Sequence, residues 1–140
     1  MAELETTLIL VKPDGVSRGL VGEVVKRFEA RGIRLKGMKL INAPRQVVEE
    51  HYSEHRERPF FASVVDYLCS GPIVALALEG ESAVKACRAM MGATNPAEAN
   101  PGTIRVDFAL SIENNIVHGS ADADSAVKEL AIWFRQDELV

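Results

Sequence analysis

Thr6–Lys12 has the sequence TTLILVK, a compact run of β-branched and aliphatic residues that predicts a buried strand. Pro13-Asp14-Gly15 follows directly, and these residue types favour a turn. Apolar side chains then recur at helical spacing until a glycine ends the pattern. The apolar positions are Leu20, Val21, Val24, Val25 and Phe28, and the glycine is Gly32. This stretch therefore predicts a strand that is followed closely by a helix.

The rest of the chain alternates further strands and helices. Ile33–Ile41 predicts a second strand, with a bulge at Gly37 because the apolar alternation changes phase there. Pro44 and Pro59 each precede a short helix. The remaining predicted elements are helices at about Arg45–His55 and Phe60–Ser70, a buried strand at Ile73–Leu78, a helix at Ser82–Met91, a loop at Ala93–Thr103, a strand at Ile116–His118 and a helix at Asp122–Phe134.

The order of these elements indicates the fold class. With the two middle helices taken as an insertion, it matches the split β-α-β-β-α-β pattern. We therefore predict an α/β (α+β) sandwich with a four-stranded antiparallel sheet rather than a doubly wound parallel sheet, and one helical layer suffices for 140 residues. On the closing helix, we expect Ala126, Val127, Leu130, Ala131 and Phe134 to share the buried face. The long Ala93–Asn115 segment is typical of a functional loop.

Composition limits the possible classes of protein. The 47% of hydrophobic and 26% of charged residues are typical of a soluble globule, and the length predicts a single domain over residues 1–140. A net charge of -4 argues against nucleic acid or an acidic membrane as the primary partner. Ile73–Leu78, the longest apolar run, is too short to span a membrane, and Met1–Thr7 lacks the basic start of a secretory leader. Cys69 and Cys87 form no CxxC pair, so we expect two reduced core fillers and a cytoplasmic protein.

Two motifs give weak indications of function. The glycines Gly15, Gly19 and Gly22 surround the start of the first helix, but neither G-x-x-x-x-G-K-[ST] nor G-x-G-x-x-G, the phosphate-binding patterns, is present there. Turn and packing roles are therefore favoured for these glycines. His51-Tyr52-Ser53-Glu54-His55 matches the H-x-x-E-H pattern of zinc proteases, in which two histidines lie on one helix face. A zinc-dependent hydrolase is therefore one alternative, and polar histidines on an exposed helix are the other.

His118 is the stronger candidate. It lies at a predicted strand end before a helix, where Gly119 leaves space beside the ring and Ser120 or Asp122 can cap the helix. Cationic and hydroxyl side chains precede it on the helix and the loop, and these groups suit a polyphosphate clamp. They are Arg88, Thr94 and Arg105.

Together these residues resemble those of a nucleoside diphosphate kinase, and the likeness spans nearly the whole chain. The matching segments are each short, but their order and spacing make the set very specific. They are Val11-Lys12-Pro13-Asp14-Gly15, Arg58-Pro59-Phe60-Phe61, Ser70-Gly71-Pro72, Gly92-Ala93-Thr94-Asn95-Pro96-Ala97, Pro101-Gly102-Thr103-Ile104-Arg105 and Asn115-Ile116-Val117-His118-Gly119-Ser120.

The resemblance implies a ferredoxin-like fold and transfer of a γ-phosphoryl group between nucleotides by a ping-pong mechanism. It implies a phosphohistidine at His118, with Glu129 orienting the ring through the nitrogen that is not phosphorylated and Tyr52 beside it. A neutral imidazole with a carboxylate on one nitrogen suits such a nucleophile. The implied nucleotide contacts are Lys12 with the ribose hydroxyls and phosphate, Phe60 with the base, Arg88 and Thr94 with the β-phosphate, Arg105 with the transferring group and Asn115 with the ribose 3′-hydroxyl.

The resemblance also implies Mg²⁺, a homo-oligomer and broad base tolerance. Mg²⁺ prefers nucleotide phosphates and water to a protein cage, which agrees with the lack of an acidic cluster in the sequence. The loop at Ala93–Thr103 builds subunit contacts in the family, in tetramers or hexamers. Every base has a π-face that Phe60 can meet, which is why we expect little discrimination among bases.

Two positions depart from the family pattern. The family usually has Asp where Ala121 stands, so a carboxylate near the site is lost, and Asp122 or Asp124 is a candidate to replace it. The family usually has Gly where Val106 stands, and this substitution implies either ordinary backbone geometry or a small local shift.

Two further alternatives follow from the fold class and from Ala121. The split fold is also used for RNA recognition, but that function needs aromatic residues on central strands and a basic sheet face. Residues 8–11 supply only aliphatic side chains. A catalytically inactive scaffold is the other alternative, and only Ala121 favours it.

Overall fold

The computed structural model describes residues 4–109 and 111–140 of the chain. Met1–Glu3, which belong to the segment for which the sequence predicts no secretory leader, lie outside the described residues. Four strands and seven α-helices occupy the described ranges. The strands are β1 Leu4–Val11, β2 Arg34–Ile41, β3 Ile73–Glu81 and β4 Val117–Gly119. The helices are α1 Pro13–Ser17, α2 Val21–Ala30, α3 Arg45–His51, α4 Phe61–Leu68, α5 Ala83–Met91, α6 Ile104–Phe108 and α7 Ala123–Trp133, with 3-10 turns at Ser53–His55, Pro96–Glu98 and Gln136–Glu138.

The strands form one antiparallel sheet in the order β2-β3-β1-β4, which confirms the predicted ferredoxin-like fold. β1 pairs with β3 along the full length of β1, from Leu4 opposite Glu81 to Val11 opposite Val74. The short β4 pairs with the end of β1, so His118 lies opposite Leu10. The register of β2 against β3 shifts just before Gly37, where the sequence predicts a bulge.

Helices cover both faces of the sheet, so the expectation of a single helical layer is wrong. Ile9 and Val11 pack on one face with residues of α2 and α5, and Leu8 and Leu10 pack on the other with α3, α4 and α7. All four strand side chains are fully buried, and burial of each such aliphatic side chain contributes about 1.5–3 kcal/mol. Among residues 4–109 and 111–140, the central strands β1 and β3 are thus covered on both faces where RNA bases would have to stack, and the RNA-recognition alternative is not supported.

The closing helix differs from the prediction in its buried face. Ala126, Leu130 and Phe134 turn inward as expected, but Val127 is 72% exposed and Ala131 is also exposed. The Asp122 carboxylate caps the helix by accepting from the Ser125 amide at 2.7 Å, as predicted for this position. From this start, the inward positions of the helix fall on Ala126, Glu129, Leu130 and Trp133.

Smaller differences concern boundaries and two short helices that the sequence analysis did not assign, which are α1, where it predicted a turn, and α6. The first middle helix ends at His51, and a 3-10 turn continues it to His55. α6 begins after Thr103, whose hydroxyl accepts from the Val106 amide at 3.3 Å. Cys87 is a core filler as expected, whereas Cys69 is only half-buried. Within residues 4–109 and 111–140, no helix is long and apolar enough to cross a membrane.

Candidate active site

A cavity of about 360 Å³ opens beside β4. Its wall is built by residues of β4, α3, α5, α6 and α7, by Lys12 after β1, and by segments that flank these helices. The wall contains every site residue predicted from the sequence except Phe60: Lys12, Tyr52, Arg88, Thr94, Arg105, Asn115, His118 and Glu129.

The His118 ring uses one nitrogen for contacts within the protein. Its Nε2 lies 3.5 Å from Oε1 of Glu129 and 3.1 Å from Nε2 of His51. The Ser120 hydroxyl donates to the same Glu129 oxygen at 2.8 Å. Among residues 4–109 and 111–140, Nδ1 of His118 has no hydrogen-bond partner. The ring therefore has one engaged nitrogen and one that is available to a ligand.

The carboxylate and the phenol beside the ring have perturbed acidities. Burial alone would raise the pKa of Glu129, but the His118 contact, the nearby His51 and the Ser120 hydroxyl together hold it below its usual range. Burial and then the Glu129 charge raise the pKa of the Tyr52 hydroxyl. Tyr52 lies beside His118 as predicted, with ring centroids 6.1 Å apart. At neutral pH, the site thus pairs a carboxylate with a protonated phenol.

His51 is a site residue that the sequence analysis missed. Its interpretation as an exposed polar histidine is wrong, because the ring packs between Tyr52, His118 and Trp133. Trp133 donates from Nε1 to Nδ1 of His51 at 2.9 Å. Burial, followed by the nearby His118, lowers the pKa of His51 to about 3. The spacing from the buried Val48 placed His51 on the inner face of α3, and this helical period was the available signal.

The zinc-protease motif is not assembled. α3 ends at His51, and the change to a 3-10 turn removes His55 from the same helix face. His55 instead packs near Phe60, with ring centroids 5.5 Å apart, and Glu54 lies 3.4 Å from the Lys128 ammonium. Within the described part of the chain, the side chains that could share a metal ion are His51, His118 and Glu129. The zinc-hydrolase alternative is therefore not supported.

Lys12 and Asn115 form a polar pair in the cavity wall. The ammonium of Lys12 donates to the Asn115 side-chain oxygen at 2.8 Å, and the amide of Asn115 donates to the Thr94 carbonyl at 2.9 Å. Burial and the charge of Arg105 lower the pKa of Lys12 to about 8, against an opposing effect of Asp14. The pair joins the end of β1 to the loop after α5.

A strained residue holds this pair next to the histidine. Ile116 has a φ of 74°, a conformation that costs a β-branched residue about 1–3 kcal/mol. Its amide donates to the Asp14 carboxylate at 3.1 Å, and its carbonyl accepts from the Lys12 amide at 2.8 Å. The Tyr67 hydroxyl donates to the other Asp14 oxygen. These bonds fix the backbone that carries both Asn115 and, two positions after Ile116, His118.

Arg105 is a buried cation that binds backbone carbonyls. It donates to Gly92 and Val117 at 2.7 Å each and to Asn115 at 3.4 Å. Burial, followed by the charge of Arg88, lowers the pKa of Arg105 to about 10. Arg88 itself donates to the Gly119 carbonyl at 3.3 Å. Both guanidiniums are thus fixed by the backbone before any ligand binds.

Phe60 stands apart from the cavity wall. It is 44% exposed just before α4, beside His55, which does line the cavity. A flat aromatic face close to the cavity mouth suits stacking against a planar group.

The departures from the family pattern have local consequences. Ala121 lines the cavity, but neither Asp122 nor Asp124 does, and the Asp122 carboxylate is used as the cap of α7. Val106 lies in α6 with an ordinary helical backbone.

Gly119 makes room for Met91 rather than for the His118 imidazole, because an added Cβ would lie 2.5 Å from the Met91 methyl group.

The charges of the wall define what the cavity can bind. Lys12, Arg88 and Arg105 point to an anionic ligand, whereas the carboxylates Glu54 and Glu129 already have partners. Fixed guanidiniums suit phosphates, and an imidazole nitrogen beside them that no described residue engages suits phosphoryl transfer. Fold and site together define a phosphotransferase that binds a phosphorylated ligand.

Comparison with known proteins identifies the family. The family model described as nucleoside diphosphate kinase matches residues 5–139. The nucleoside diphosphate kinase of Heliobacterium modesticaldum is 55% identical over 137 residues, which cover 98% of this chain and 92% of that protein. The Picosynechococcus sp. enzyme is 53% identical over 136 residues, which cover 97% of this chain and 91% of that protein.

A solved structure gives the same result. The Halobacterium salinarum nucleoside diphosphate kinase, in complex with CDP, superposes with a TM-score of 0.95 at 41% identity, over 99% of this chain and 92% of that chain. The chain belongs to the nucleoside diphosphate kinase family. Its activity is the transfer of the γ-phosphoryl group of a nucleoside triphosphate to a nucleoside diphosphate.

Proposed function

We propose that His118 carries the phosphoryl group between the two nucleotides, on its Nδ1 atom, in a ping-pong reaction. This proposal rests on the different surroundings of the two ring nitrogens. Nε2 lies next to Glu129, whereas none of the described residues engages Nδ1, and fixed cations line the same wall. The lone pair of Nδ1 attacks the γ-phosphorus, the bond to the bridging oxygen breaks, and the nucleoside diphosphate leaves. The second nucleotide reverses these steps.

The other site residues act on this ring or on the nucleotide. Glu129 accepts from Nε2–H and orients the ring, and Tyr52 closes the side of the ring that faces α3. We assign Arg88 and Thr94 to the β-phosphate, and Arg105 to the charge that develops on the transferring group. Phosphoryl transfer depends mainly on such positioning and charge stabilisation. Arg105 already donates to three backbone carbonyls, so few of its N–H groups remain free to bind a phosphate. It therefore contributes to the transfer mainly as a fixed positive charge.

The contact between Lys12 and Asn115 supports a shared ribose site. The 2.8 Å contact puts an ammonium and an amide side by side, and both groups suit ribose hydroxyls. Phe60 is the base-stacking residue in this proposal. Stacking does not depend on base edges, so the enzyme accepts all common bases. The CDP bound to the Halobacterium salinarum relative supports a diphosphate at this site.

Mg²⁺ is the metal ion that we propose for the reaction. The wall carboxylates Glu54 and Glu129 are engaged by Lys128 and by Ser120, which leaves few protein oxygens for a cation. This donor set fits Mg²⁺ that is held mainly by the nucleotide phosphates and water. When bound, the ion neutralises charge on the phosphates.

A homo-oligomer is the assembly that we propose. β2 is an edge strand on which Met38 and Leu40, two residues apart on one side, are 48% and 65% exposed. Met38 shares a groove with Val21 and Val25 of α2, so the exposed apolar surface is continuous. The loop after α5 supplies a second contact surface by resemblance to the family.

The chain as a whole is proposed to be one domain that works in the cytoplasm. The family match over residues 5–139 and the single sheet support the one-domain assignment. The free thiols of Cys69 and Cys87 suit a reducing compartment.

Transfer of radiolabel from γ-labelled ATP with Mg²⁺ tests the proposal. We expect acid-labile, alkali-stable label on the unchanged protein, and on His55→Ala as the matched histidine control. His118→Ala should fold normally and take up no label, because only the nucleophile is lost. Sustained multiple turnover by a folded His118→Ala protein would contradict the assignment.

A further inference from the structure

Asn115 and His118 are three positions apart in the chain, yet both side chains line the cavity. In a regular strand the side chains alternate between the two faces, so residues three apart point in opposite directions. Ile116 and Val117, which lie between them, are adjacent, yet both pack into the core on the side of α2 and α5. The alternation is therefore broken here, and the break is what brings Asn115 and His118 to one cavity.

A three-residue turn centred on Ile116 produces this break. The Val117 amide donates to the Asn115 carbonyl at 2.8 Å, and Ile116 has a φ of 74°. These two features are those of a γ-turn with a positive central φ, which is rare because it is strained. Ile116 is β-branched and fully buried, and this conformation is unfavourable for such a residue. Contacts from outside the turn must therefore hold it.

Asp14 makes the contact with the amide of Ile116. One oxygen of its carboxylate accepts from that amide at 3.1 Å, and the other accepts from the Tyr67 hydroxyl. The Asp14 amide donates to the same Tyr67 oxygen at 3.2 Å. Burial and the contact with Asp14 raise the pKa of Tyr67, which keeps the phenol protonated and able to donate. Tyr67 thus binds both the main chain and the side chain of Asp14 and fixes the direction of the carboxylate.

Further contacts hold the carbonyls of the turn. The Arg105 guanidinium donates to the carbonyls on either side of Ile116, at 3.4 and 2.7 Å, and the Lys12 amide donates to the Ile116 carbonyl at 2.8 Å. The amide of Ile116 lies in a fully buried residue, and a buried amide without an acceptor is unfavourable. The Asp14 carboxylate is therefore the contact that stabilises the direction of this N–H group.

We propose that Asp14 is a positioning residue whose carboxylate, oriented by Tyr67, holds the γ-turn at Ile116. In this way it directs Asn115 and His118 into the same cavity. The consequence for phosphoryl transfer rests on the proposed function of His118 as the nucleophile. A change of φ at Ile116 to negative values redirects the chain between Asn115 and His118, so the ring moves relative to the fixed guanidiniums. Such misplacement of a reacting group slows the chemical step.

Stabilisation of α1 alone is the competing role for Asp14. A carboxylate in the first turn of a helix is favourable near the helix N-terminus, and Asp14 occupies that position. Its two oxygens, however, bind Tyr67 and Ile116, which are 53 and 102 positions away in the chain. A role in stability alone predicts a lower free energy of unfolding with an unchanged reaction rate of the folded enzyme.

Single-turnover phosphorylation by saturating ATP and Mg²⁺, measured beside urea unfolding, separates the two roles. Tyr67→Phe removes only the hydroxyl, and its rate should fall about 2- to 10-fold, the factor that one neutral hydrogen bond contributes. Asp14→Ala should lose about 10- to 150-fold, because the lost contact is charge-assisted. Asp14→Asn keeps an oxygen for the Ile116 amide and should retain more of the rate than Asp14→Ala.

Two conditions make these comparisons specific. Ser17→Ala is the matched control, because the Ser17 hydroxyl donates to the Asp14 carbonyl at 3.2 Å and not to the carboxylate. Its rate should equal that of the unchanged protein. The Asp14 carboxylate supports the charge of Lys12, whose pKa is about 8, so all rates are measured at about pH 6.5, where the ammonium persists.

Crystal structures of the unchanged protein and of Asp14→Ala show the turn directly. We expect a positive φ at Ile116 in the unchanged protein and a negative φ in Asp14→Ala, with the Asn115 side chain turned away from Lys12. The same turn in both structures would overturn the proposal, because the contacts with the carbonyls would then suffice.

The kinetic results decide the proposal independently of these structures. Equal rates for Tyr67→Phe, Asp14→Asn and the unchanged protein would assign the contact to stability alone, even if Asp14→Ala does not fold. If folded His118→Ala remains active, the proposed function fails separately, while the structures still decide whether Asp14 holds the turn.

Discussion

At the scale of single residues, burial sets the charge state of the groups around the cavity. Lys12 is enclosed near Arg105, so its ammonium is less stable than in water, and its pKa falls to about 8. His51 is buried and stays neutral, whereas hydrogen bonds keep Glu129 ionised despite its burial. The site therefore contains a lysine whose charge is lost only slightly above physiological pH.

The lowered pKa of Lys12 predicts weaker nucleotide binding in alkaline solution. Below pH 8 or so the ammonium is charged and attracts the diphosphate, and above it the amine is neutral. We expect the affinity for ADP to fall by about tenfold between roughly pH 7.5 and 9.5, since a charge-assisted contact is worth about 1.5–3 kcal/mol. Titration calorimetry across this range measures the change.

Two variants separate Lys12 from other groups. Lys12→Met should bind ADP more weakly at pH 7.5 and show no further loss at pH 9.5. Lys128→Met, which changes another lysine of the same wall, should retain the alkaline loss. A Lys12→Met protein with the same alkaline loss as the unchanged protein would assign the effect to another group.

Sequence patterns selected most of the polar residues that line the cavity but not their contacts. The family motifs selected the residues that the cavity brings together, because such motifs record residue type and order. His51 was missed since its role depends on the phase of α3 and on Trp133, 82 positions away. The use of Arg105 on three carbonyls is likewise a tertiary contact that no local pattern contains.

At the scale of elements, the segment from α5 to α6 positions the arginines. Gly92 ends α5 with a φ of 90°, and its carbonyl accepts from Arg105 at 2.7 Å. A Cβ at this glycine would lie 2.5 Å from the Thr103 hydroxyl oxygen, which caps α6. Close packing of Gly92 against Thr103 therefore connects the end of one helix to the start of the next.

Substitution of Gly92 tests this connection. Gly92→Ala should lower the free energy of unfolding by more than the roughly 1–3 kcal/mol of a strained φ, because the new methyl group also collides with Thr103. It should also raise the KM for nucleotides, since Arg105 moves with α6. Urea unfolding and steady-state kinetics give the two values.

Gly102→Ala is the matched control for this prediction. Its φ of 85° is similar, but an added Cβ meets nothing within 4 Å. It should therefore show the backbone cost alone and an unchanged KM. Equal losses of stability in the two variants would mean that the contact with Thr103 has no role.

The success of the element predictions depended on the kind of signal. Strands with continuous apolar runs, such as Ile73–Leu78, were found because burial on both faces requires such runs. α6 was missed because a helix of five residues contains too few positions to show a period, and its start depends on the Thr103 cap. The exposure of Val127 was missed because the inward face of α7 is set by its contacts with α3 and β1.

At the scale of the whole molecule, the exposed side of β2 predicts self-association. Light scattering should give a mass several times that of the monomer for the unchanged protein. Leu40→Glu should reduce this mass, because it places a charge next to the exposed Met38 on the same side of β2. Val127→Glu, at an exposed position of α7, should have no effect.

Two results of the light-scattering experiment would contradict the proposed interface. A monomeric unchanged protein at micromolar concentration, or equal masses for Leu40→Glu and the unchanged protein, would show that β2 is not part of the interface.

The fold could be predicted from the order of its elements, but the second helical layer could not. It depends on how α3, α4 and α7 pack across the sheet, which local periodicity does not encode.

Transfer from the isolated phosphoprotein to nucleoside diphosphates measures the central claim most directly. The protein is labelled by γ-labelled ATP, freed of nucleotide, and mixed rapidly with ADP, GDP, CDP or UDP. We expect the label to leave the protein and appear in each triphosphate at a rate at least as fast as steady-state turnover, with modest differences among bases. Label that stays on the protein, or that leaves more slowly than turnover proceeds, would contradict a phosphohistidine intermediate at His118.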